Sequence, residues 1–349
     1  MSKYSEIAEV LKKEISDGIY SKTGRLPTEY DLVSRFGVSR QTVRQAIGSL
    51  KNDGFVYQIQ GSGTYVSTDR ALHGRPQSAF KNVFIICTYI SEYIFPRIVS
   101  GIESTLNGTG YRINIAATGN KVELERKILR DVIKLGECDG LIVEGSKTGF
   151  PNPNISLYHE IEKLGIPVVF LHCTYQELPD SVVVGMDDKA GGKIASQKLI
   201  EQGCRNILGI FKSDDRQGLL RYAGYSEGII DSGLGLDRSE VRWYTTEDVQ
   251  DRGMTIESGI VDLISQKNID GIVCYNDMVA ADLVRELISC GKPVPKLVSF
   301  DDSYLAQSGP VKFESLGHRK EELGILAANK IRNMIEGKKE KSEFLSWID

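Results

Sequence analysis

A chain of 349 residues with a formal net charge of −4 exceeds the length that one hydrophobic core usually serves, so we expect two or three folding units. Its 41% hydrophobic and 26% charged residues are ordinary for a soluble globular protein, and the absence of any run of 18 apolar residues argues against a membrane span. The negative charge does not exclude nucleic-acid binding, because residues 1–70 hold ten Lys and Arg against eight Asp and Glu and are weakly basic.

Residues 5–17 predict an amphipathic helix, because apolar side chains recur at helical spacing and Gly18 follows them. The opening residues, MSKYSEIAEVLKKEISDG, are charged as well as amphipathic, so they resemble neither a signal peptide nor a membrane anchor. We therefore expect a cytoplasmic protein with no membrane partner.

Two short helices are predicted next. Thr28 is a good N-cap for the first, Asp31 is placed to favour the helix dipole, and Gly37 ends the helix. Ser39 caps the following helix, whose buried face is formed by apolar residues at helical spacing: Val43, Ala46, Ile47 and Leu50. A short glycine-containing turn between two capped helices is the signature of a helix-turn-helix.

The opposite face of that last helix carries two pairs of polar side chains, Arg40 with Arg44 and Gln41 with Gln45. Arginine forks onto guanine edges or phosphates and glutamine pairs with adenine, so this face suits the major groove of DNA. In an isolated helix, an ordinary solvated face would explain the same residues. The helix-turn-helix context favours DNA binding.

A β-hairpin is predicted after the third helix. The turn Asn52-Asp53-Gly54 precedes two β-prone runs, FVYQIQ and TYVS, which a glycine-rich turn around Gly61 joins. Backbone amides near Gly61 could approach the DNA backbone closely, because no bulky side chain stands in the way. This hairpin would form the wing of a winged helix-turn-helix.

The stretch RLPTEYDLVSRFGVSRQTVRQAIGSLKNDGFVYQIQGSGTYV resembles the winged helix-turn-helix of GntR-type regulators along nearly its whole length. The LPTE, FGVSR-x-T-x-R and G-x-G-T-x-V elements match in order and spacing. The resemblance implies DNA contacts from three residues of the third helix and two at the wing tip: Arg40, Thr42, Arg44, Gln60 and Gly61. Tyr30 stands where some members carry a DNA-binding arginine. Residues 1–68 are expected to form the DNA-binding domain.

Residues 69–81 lack sustained periodicity and contain Gly74 and Pro76, so they predict a linker. In residues 82–349, amphipathic helical stretches alternate with apolar runs, which are VFIICT, YRINIAA, GLIVE, PVVFL, NILGIF, GIVCY and KLVSFDD. This alternation is typical of parallel sheets with helices on both faces. These strands and helices are too numerous for a single sheet. We therefore expect two α/β lobes with a cleft for an effector.

Polar residues just after the strands are candidates for ligand binding, because ligands in such folds sit outside the carboxyl ends of the strands. These candidates are Tyr93, Phe95, Glu144, Lys147, His172, Lys212, Asn276 and Asp301. Arg221, at the start of a predicted helix, joins them. Carboxylate, amide and guanidinium groups beside aromatic rings suit a neutral polyol. Any one of them could instead cap a helix, as Asn276 and Asp187 are placed to do.

Residues 82–336 resemble the effector-binding domain of LacI-type regulators, which is related to periplasmic sugar-binding proteins. The matching stretches are FPRIVSGIESTL, CDGLIVE, GMDDKAGGKIASQKLIEQGCRNILGIF, RYAGYSEGI, CYNDMVAADLVRELI and FDDSYLA. The resemblance implies that Arg221, Asn276 and Asp301 bind the ligand. It also implies that His318 reaches the ligand from a segment crossing between the lobes. The strand before Asp301 is shorter than in that family and carries Ser299 where glycine is usual.

A GntR-type DNA-binding domain joined to a LacI-type sensor resembles a family of arabinose-responsive repressors from Gram-positive bacteria. Four local stretches indicate the same family: YISEYIFP, LIVEGSKT, GIFKSDD and WYTTED. We expect a homodimer formed through the sensor lobes. The resemblance implies that it represses by binding operator DNA and is released when L-arabinose occupies the sensor. Another sugar, a purine or a sugar phosphate stays open as the effector. Lys147, Lys212 and Arg221 could serve a phosphate, whereas Glu144 and Asp301 would repel one.

Catalysis is not expected. The sequence holds no G-x-G-x-x-G after a strand, no P-loop, no H-E-x-x-H and no G-x-S-x-G. The pairs Asp187-Asp188 and Asp301-Asp302 need not share a site, since adjacent residues on a strand point to opposite faces. Six scattered cysteines, with no C-x-x-C and no histidine at zinc-finger spacing, predict free thiols, so neither a metal nor a cofactor is expected.

Overall fold

The computed structural model describes residues 3–20, 24–53, 55–59, 63–66, 80–90, 93–235, 239–248 and 259–348. The chain divides into two compact units, Met1–Phe80 and Lys81–Asp349, named the N-terminal and the C-terminal unit. Residues 67–79, which hold most of the expected linker, lie outside the described ranges. The linker at 69–81 therefore stays a prediction.

The described part of the N-terminal unit consists of three helices and an antiparallel hairpin: α1 Lys3–Ser16, α2 Glu29–Phe36, α3 Arg40–Asn52, β1 Val56–Ile59 and β2 Gly63–Val66. The helices pack through fully buried side chains, among them Leu11, Leu32, Val43 and Leu50. This is a helix-turn-helix followed by a wing, and the predicted fold of the unit is confirmed.

Capping residues determine where α2 and α3 begin and end. The Thr28 hydroxyl accepts a hydrogen bond from the Asp31 amide (3.3 Å), and the Asp31 carboxylate accepts one from the Thr28 amide (3.0 Å). Two N–H groups that the helix cannot pair are thereby satisfied. Gly37 ends α2 with φ at 60°, a conformation that glycine adopts without strain. Ser39 begins α3 by accepting from the Thr42 amide (3.2 Å).

The C-terminal unit alternates strands and helices along the chain. In its described residues they are β3 Lys81–Cys87, α4 Phe95–Leu106, β4 Tyr111–Ala117, α5 Val122–Leu135, β5 Gly140–Val143, α6 Ile155–Lys163, β6 Val168–Leu171, β7 Val182–Met186, α7 Asp188–Glu201, β8 Ile207–Lys212, α8 Arg216–Asp231, β9 Ser239–Tyr244, α9 Ile260–Gln266, β10 Gly271–Cys274, α10 Asp277–Ser289, β11 Lys296–Phe300, α11 Leu305–Ser308, β12 Glu314–Leu316, α12 Lys320–Ile335 and β13 Glu343–Leu345. The apolar runs predict seven of these strands and miss β7, β9, β12 and β13. The last two are only three residues long and form because they pair with β11 and β7.

Two parallel sheets define two lobes. In lobe 1 the strand order is β13-β7-β6-β5-β3-β4, and in lobe 2 it is β12-β11-β10-β8-β9. The central strands are buried throughout, as in β5 and β10, which is what helices on both faces of a parallel sheet require. The predicted two-lobed α/β architecture is confirmed.

The chain passes between the lobes through three neighbouring segments, which together form the hinge. It leaves lobe 1 at residues 187–188 and returns at residues 317–319. After β13, residues 346–348 run back along the second crossing, where Gly317 and Ile348 exchange backbone hydrogen bonds (2.7 and 3.0 Å). The C-terminal segment is therefore part of the hinge.

The six cysteines carry free thiols, and five of them are buried, whereas Cys290 is exposed at the end of α10. Within the described ranges, none of the helices combines the length and the apolar character that crossing a bilayer requires.

Candidate functional sites

The exposed face of α3 presents the residues that the sequence predicts to bind DNA. The side chains of Arg40 and Arg44 are 70% and 61% exposed, and Gln41 and Gln45 are exposed beside them. Thr42 is half-buried, and its hydroxyl lies 2.8 Å from that of Ser39, the capping residue. Guanidinium and amide groups on one convex helix face match the donors and acceptors in the major groove.

Glu29, absent from the predicted site, lies beside both arginines. Its carboxylate accepts hydrogen bonds from the Nε atoms of Arg40 (2.8 Å) and Arg44 (3.1 Å). The hydrogen bond from Arg40 is the main cause that lowers the pKa of Glu29, so this carboxylate stays charged at neutral pH. Glu29 begins α2 while the arginines belong to α3, so only the packing of the two helices joins them.

The wing consists of β1 and β2, which follow α3 in the chain. Its strands are held in register by four backbone pairs and by the stacked rings of Tyr57 and Tyr65, 5.6 Å apart. Gln60 and Gly61, the predicted wing-tip residues, lie outside the described residues. Tyr30 is exposed on α2.

A cavity of about 330 Å³ lies between the two lobes, at the carboxyl ends of their strands. Its volume is that of a small-molecule site. Among the residues lining it are eight that the sequence predicts: Tyr93, Phe95, Glu144, His172, Lys212, Arg221, Asn276 and Asp301. The lining also includes residues that sequence reasoning missed: Thr88, Asp215, Tyr244, Thr246 and Tyr275. Thr88 and Tyr275 are the last residues of predicted apolar runs and could have been found, whereas Tyr244 ends β9, a strand that was not predicted.

Arg221 reaches the cavity from α8 with its charge already matched. Its Nε donates to the Asp188 carboxylate (2.8 Å), and an Nη atom donates to the Tyr275 carbonyl. The guanidinium carbon lies 4.4 to 4.9 Å from the ring centres of Tyr275, Phe300 and Trp347. Burial alone would lower the pKa of Arg221, but Asp188 raises it above its ordinary value.

Asp187 and Asp188 have separate roles. Asp187 accepts a hydrogen bond from the Ala190 amide (3.0 Å) and caps α7, as predicted. Asp188, the first residue of α7, is buried and pairs with Arg221. Sequence reasoning set this aspartate aside, because it lies 33 positions before the arginine and no local pattern reveals the contact.

Lys212, at the end of β8, is the second cation of the cavity wall. Its Nζ lies 2.7 Å from Asp215 Oδ2 and 3.7 Å from Asp214 Oδ1. Burial would lower the pKa of Lys212, and the two carboxylates raise it, so the ammonium stays charged. Both cations that line the cavity are therefore paired with carboxylates of the chain itself.

Asp301 and Tyr93 meet across the two lobes. The Tyr93 hydroxyl donates to Asp301 Oδ2 (2.8 Å) and accepts from the Asp277 amide (3.2 Å). Asp301 has φ at 99°, which carries the chain out of β11 and leaves Asp301 buried and Asp302 exposed. The two neighbouring carboxylates thus face different surroundings.

Asn276 both caps a helix and lines the cavity. Its Oδ1 accepts a hydrogen bond from the Val279 amide (3.0 Å) at the start of α10, so its capping role is confirmed. The same residue belongs to the cavity wall.

His172 and Glu144 form the lobe 1 side of the cavity. Glu144 Oε2 accepts hydrogen bonds from the Thr88 amide (2.7 Å) and hydroxyl (2.6 Å), while Glu144 Oε1 lies 3.8 Å from His172 Nε2. His172 is buried, and its Nδ1 has no hydrogen-bond partner among the described residues. The His172 ring thus belongs to the cavity wall, while this nitrogen is itself buried.

Two of the predicted ligand residues do not line the cavity. Lys147 points to Asp214 and Glu247, with Nζ–O distances of 3.1 and 2.6 Å. His318 is buried in the hinge, where its ring packs 5.6 Å from His172 and 5.5 Å from Trp347. Ion pairing holds the Lys147 side chain away from the cavity, and packing against two other rings holds His318 in the hinge.

A winged helix-turn-helix, followed by a two-lobed α/β unit with a cavity between its lobes, defines the class of DNA-binding transcription regulators with a sensor domain. Residues 3–66 match the family of bacterial regulatory proteins named gntR, and residues 196–346 match the periplasmic binding protein-like domain.

Similar proteins agree with this class. The chain is 38% identical to the arabinose metabolism transcriptional repressor of Halalkalibacterium halodurans, over 96% of its own length and 90% of the relative. It is 34% identical to the repressor of the same name from Geobacillus stearothermophilus, over 96% and 92%. The transcription regulator CcpA of Lactococcus lactis shares the fold of the sensor, with a TM-score of 0.65 at 20% identity over 76% of this chain and 95% of that one. The chain belongs to the family of GntR-type transcriptional repressors with a periplasmic-binding-protein-like sensor domain.

Proposed function

We propose that the chain is a sugar-responsive repressor that binds operator DNA through α3 and the wing and leaves it when L-arabinose enters the cavity. The cavity carries this proposal, because its two cations are already paired and its wall combines carboxylates, an imidazole and aromatic rings. A neutral polyol needs directional hydrogen bonds and an apolar surface, not a net charge. The two relatives named as arabinose metabolism repressors support L-arabinose as the effector.

A sugar phosphate is the second candidate, since Lys212 and Arg221 both line the cavity. A phosphate would have to compete with Asp215 and Asp188 for these cations, and it would approach Glu144. Calorimetry with L-arabinose, D-ribose, D-xylose and arabinose 5-phosphate separates the candidates. We expect heat of binding with L-arabinose and none with the phosphate. No heat with L-arabinose overturns this effector.

For DNA recognition, the proposal assigns operator contacts to Arg40 and Arg44. Operator fragments can be selected from random DNA with the purified chain, and their affinity measured by fluorescence anisotropy in moderate salt. Because a good arginine–guanine contact is worth about 1–3 kcal/mol, Arg44→Ala is expected to weaken operator binding about tenfold or more. Lys13→Ala, which removes the same charge from an exposed position of α1, serves as the control. Unchanged affinity of the Arg44→Ala protein overturns the assignment.

Coupling between the sites requires that L-arabinose favour one arrangement of the sensor over another. Saturating L-arabinose is expected to lower the operator affinity of the wild-type chain in the same anisotropy assay. An affinity that does not change with the sugar refutes the coupling.

The proposed assembly is a cytoplasmic homodimer. It would present two winged helix-turn-helix units to a roughly palindromic DNA operator. Sedimentation should therefore give twice the 38.7 kDa chain mass. The chain would act by binding alone, so L-arabinose incubated with it should be recovered unchanged, as NMR of the sugar can show. A monomer that binds the full site, or a converted sugar, would contradict these two points.

A further inference from the structure

Lys147 joins the two lobes from a position outside the cavity. Its Nζ lies 3.1 Å from Asp214 Oδ2 and donates to both carboxylate oxygens of Glu247 (2.6 and 2.7 Å). Lys147 follows β5 of lobe 1, whereas Asp214 follows β8 and Glu247 follows β9 of lobe 2. These ion pairs can exist only while the two lobes are together.

Neighbouring hydrogen bonds tie the same edges of the lobes. The Lys147 amide donates to Asn120 Oδ1 (2.8 Å), and Asn120 Nδ2 donates across the lobes to Thr246 Oγ1 (2.6 Å). The Thr246 amide donates in turn to Asp214 Oδ2 (3.0 Å). Asn120 and Asp214 are completely buried, so each would have unpaired polar atoms if its partners left while it stayed covered.

Lobe 1 holds the segment that carries Lys147 in a fixed conformation. Buried Glu125 accepts hydrogen bonds from the Ser146 amide (3.3 Å) and from the hydroxyls of Tyr158 (2.8 Å) and Tyr175 (2.5 Å). The Tyr175 hydroxyl oxygen also lies 3.0 Å from the Ser146 carbonyl oxygen. Lys147 itself has φ at 51°, a left-handed conformation that this framework maintains. Lobe 1 therefore fixes the start of this segment, and lobe 2 holds its end, where the Gly149 amide donates to the Asp214 carbonyl (3.1 Å).

We propose that Lys147 is a positioning residue that latches lobe 1 to lobe 2 and thereby raises the affinity for the effector without contacting it. An interaction made only in the closed arrangement stabilises that arrangement, and an effector held by both lobes binds more tightly when closure is favoured. Lys147 thus sets the sugar concentration at which the repressor responds. This inference rests on the proposed function of the cavity.

A double-mutant cycle on the full chain tests the latch. Calorimetry measures the Kd for L-arabinose of the wild type, Lys147→Met, Glu247→Gln and the double variant. We expect Lys147→Met to raise the Kd about tenfold or more, because it takes a cation from buried Asp214. Glu247→Gln should raise it about threefold, since the Glu247 side chain is half-exposed. In the Lys147→Met background, Glu247→Gln should change nothing further, and Lys147→Arg should restore most of the affinity.

Glu227→Gln is the matched control, because Glu227 pairs with Lys189 and Lys193 inside lobe 2. Its Kd should equal that of the wild type. The latch is overturned if Glu247→Gln keeps the wild-type Kd, or if it raises the Kd by the same factor in both backgrounds. A merely structural Lys147 would instead lower the free energy of unfolding of the ligand-free chain and leave the cycle additive.

Scattering of the ligand-free chain separates failure of the latch from failure of the proposed effector. If the wild type gives no heat with L-arabinose, the effector is wrong, and the radius of gyration then decides on the latch. Lys147→Met should have a larger radius of gyration than the wild type and Glu227→Gln. Equal radii for all three proteins overturn the latch.

Discussion

Arg221 combines a buried charge with a place in the cavity wall. An isolated buried guanidinium would be strongly unfavourable, but Asp188 neutralises it and three aromatic rings surround it. One of those rings, Trp347, also donates from Nε1 to the Asp187 carbonyl (3.0 Å) in the hinge. The orientation of Arg221 is therefore fixed by lobe 2 and the hinge together.

Replacing Arg221 by lysine keeps the charge but removes the planar guanidinium fork, which both hydrogen-bonds to Asp188 and packs against the aromatic rings. We expect Arg221→Lys to weaken L-arabinose binding about tenfold or more, a loss of about 1.4 kcal/mol or more. Operator affinity without sugar should not change. Calorimetry and anisotropy measure the two affinities. The control is Arg242→Lys, which makes the same change in a half-buried ion pair with Glu240 on β9. Wild-type sugar affinity for Arg221→Lys would contradict the role given to the fork.

His318 is a buried imidazole in the hinge. Burial lowers its pKa well below the usual 6.5, and the nearby charges of His172, Arg221 and Lys320 act in the same direction. Neither ring nitrogen has a hydrogen-bond partner among the described residues. The folded chain therefore keeps this ring neutral in mild acid, where the unfolded chain protonates it.

The free energy of unfolding should consequently fall as the pH drops below about 6.5, by about 1.4 kcal/mol per pH unit for this one group. Burial raises the pKa of Asp277 to about 6, and this group acts in the opposite sense below that pH. The difference between wild type and His318→Leu isolates the histidine, because Asp277 is common to both. Urea unfolding from pH 7.5 to 5 should show the variant losing less stability in acid. Parallel pH profiles would contradict the prediction.

At the scale of elements, residues outside the hydrophobic core determine where α2 begins and ends and where α3 begins. Thr28 and Asp31 satisfy each other's amides at the start of α2, and Gly37 ends it within two residues of the cap of α3. These residues set the turn, and the turn sets the direction in which α3 presents Arg40 and Arg44.

Thr28→Ala removes the cap and is expected to cost the N-terminal unit about 1 kcal/mol of stability. Urea unfolding followed by helix ellipticity measures the loss. Ser34→Ala, a change of similar size at an exposed position within α2, should cost much less. Equal stabilities of the two variants would show that the capping box contributes nothing.

Helices α7 and α8 lie unusually close, and this proximity creates the Asp188–Arg221 pair. A Cβ atom at Gly192 would lie 1.9 Å from the Arg221 carbonyl oxygen, and one at Gly224 would lie 1.8 Å from that of Lys189. Glycine is required at both positions because the backbones touch there. This close packing allows Asp188 on α7 to pair with Arg221 on α8 at the cavity wall.

At the scale of the whole molecule, the two units should respond separately to the sugar. L-arabinose at about one hundred times its Kd should raise the free energy of unfolding of the C-terminal unit by about 2.7 kcal/mol and leave that of the N-terminal unit unchanged. Scanning calorimetry should resolve two transitions, and Thr28→Ala, which lowers only one of them, assigns the N-terminal unit. Equal shifts of both transitions would contradict independent units.

Local patterns predict much of this molecule because they depend on neighbours along the chain. Caps and helical periodicity predict α2 and α3, and alternating apolar runs predict the central strands of both sheets. The rule that ligands lie at the carboxyl ends of strands correctly predicted seven residues of the cavity wall. It missed Tyr244, because the edge strand that ends there lacks a continuous apolar run.

By itself, the sequence determined a winged helix-turn-helix, a two-lobed parallel α/β sensor and the polar residues at the strand ends, since each follows from spacing within a short segment. Tertiary structure alone decided that Glu29 holds both arginines, that Asp188 neutralises Arg221 and that Lys147 ties the lobes outside the cavity. Tyr93 and Asp301 are 208 residues apart and meet across the lobes. Such contacts depend on how helices pack and how the hinge sets the lobes, and no local periodicity encodes that geometry.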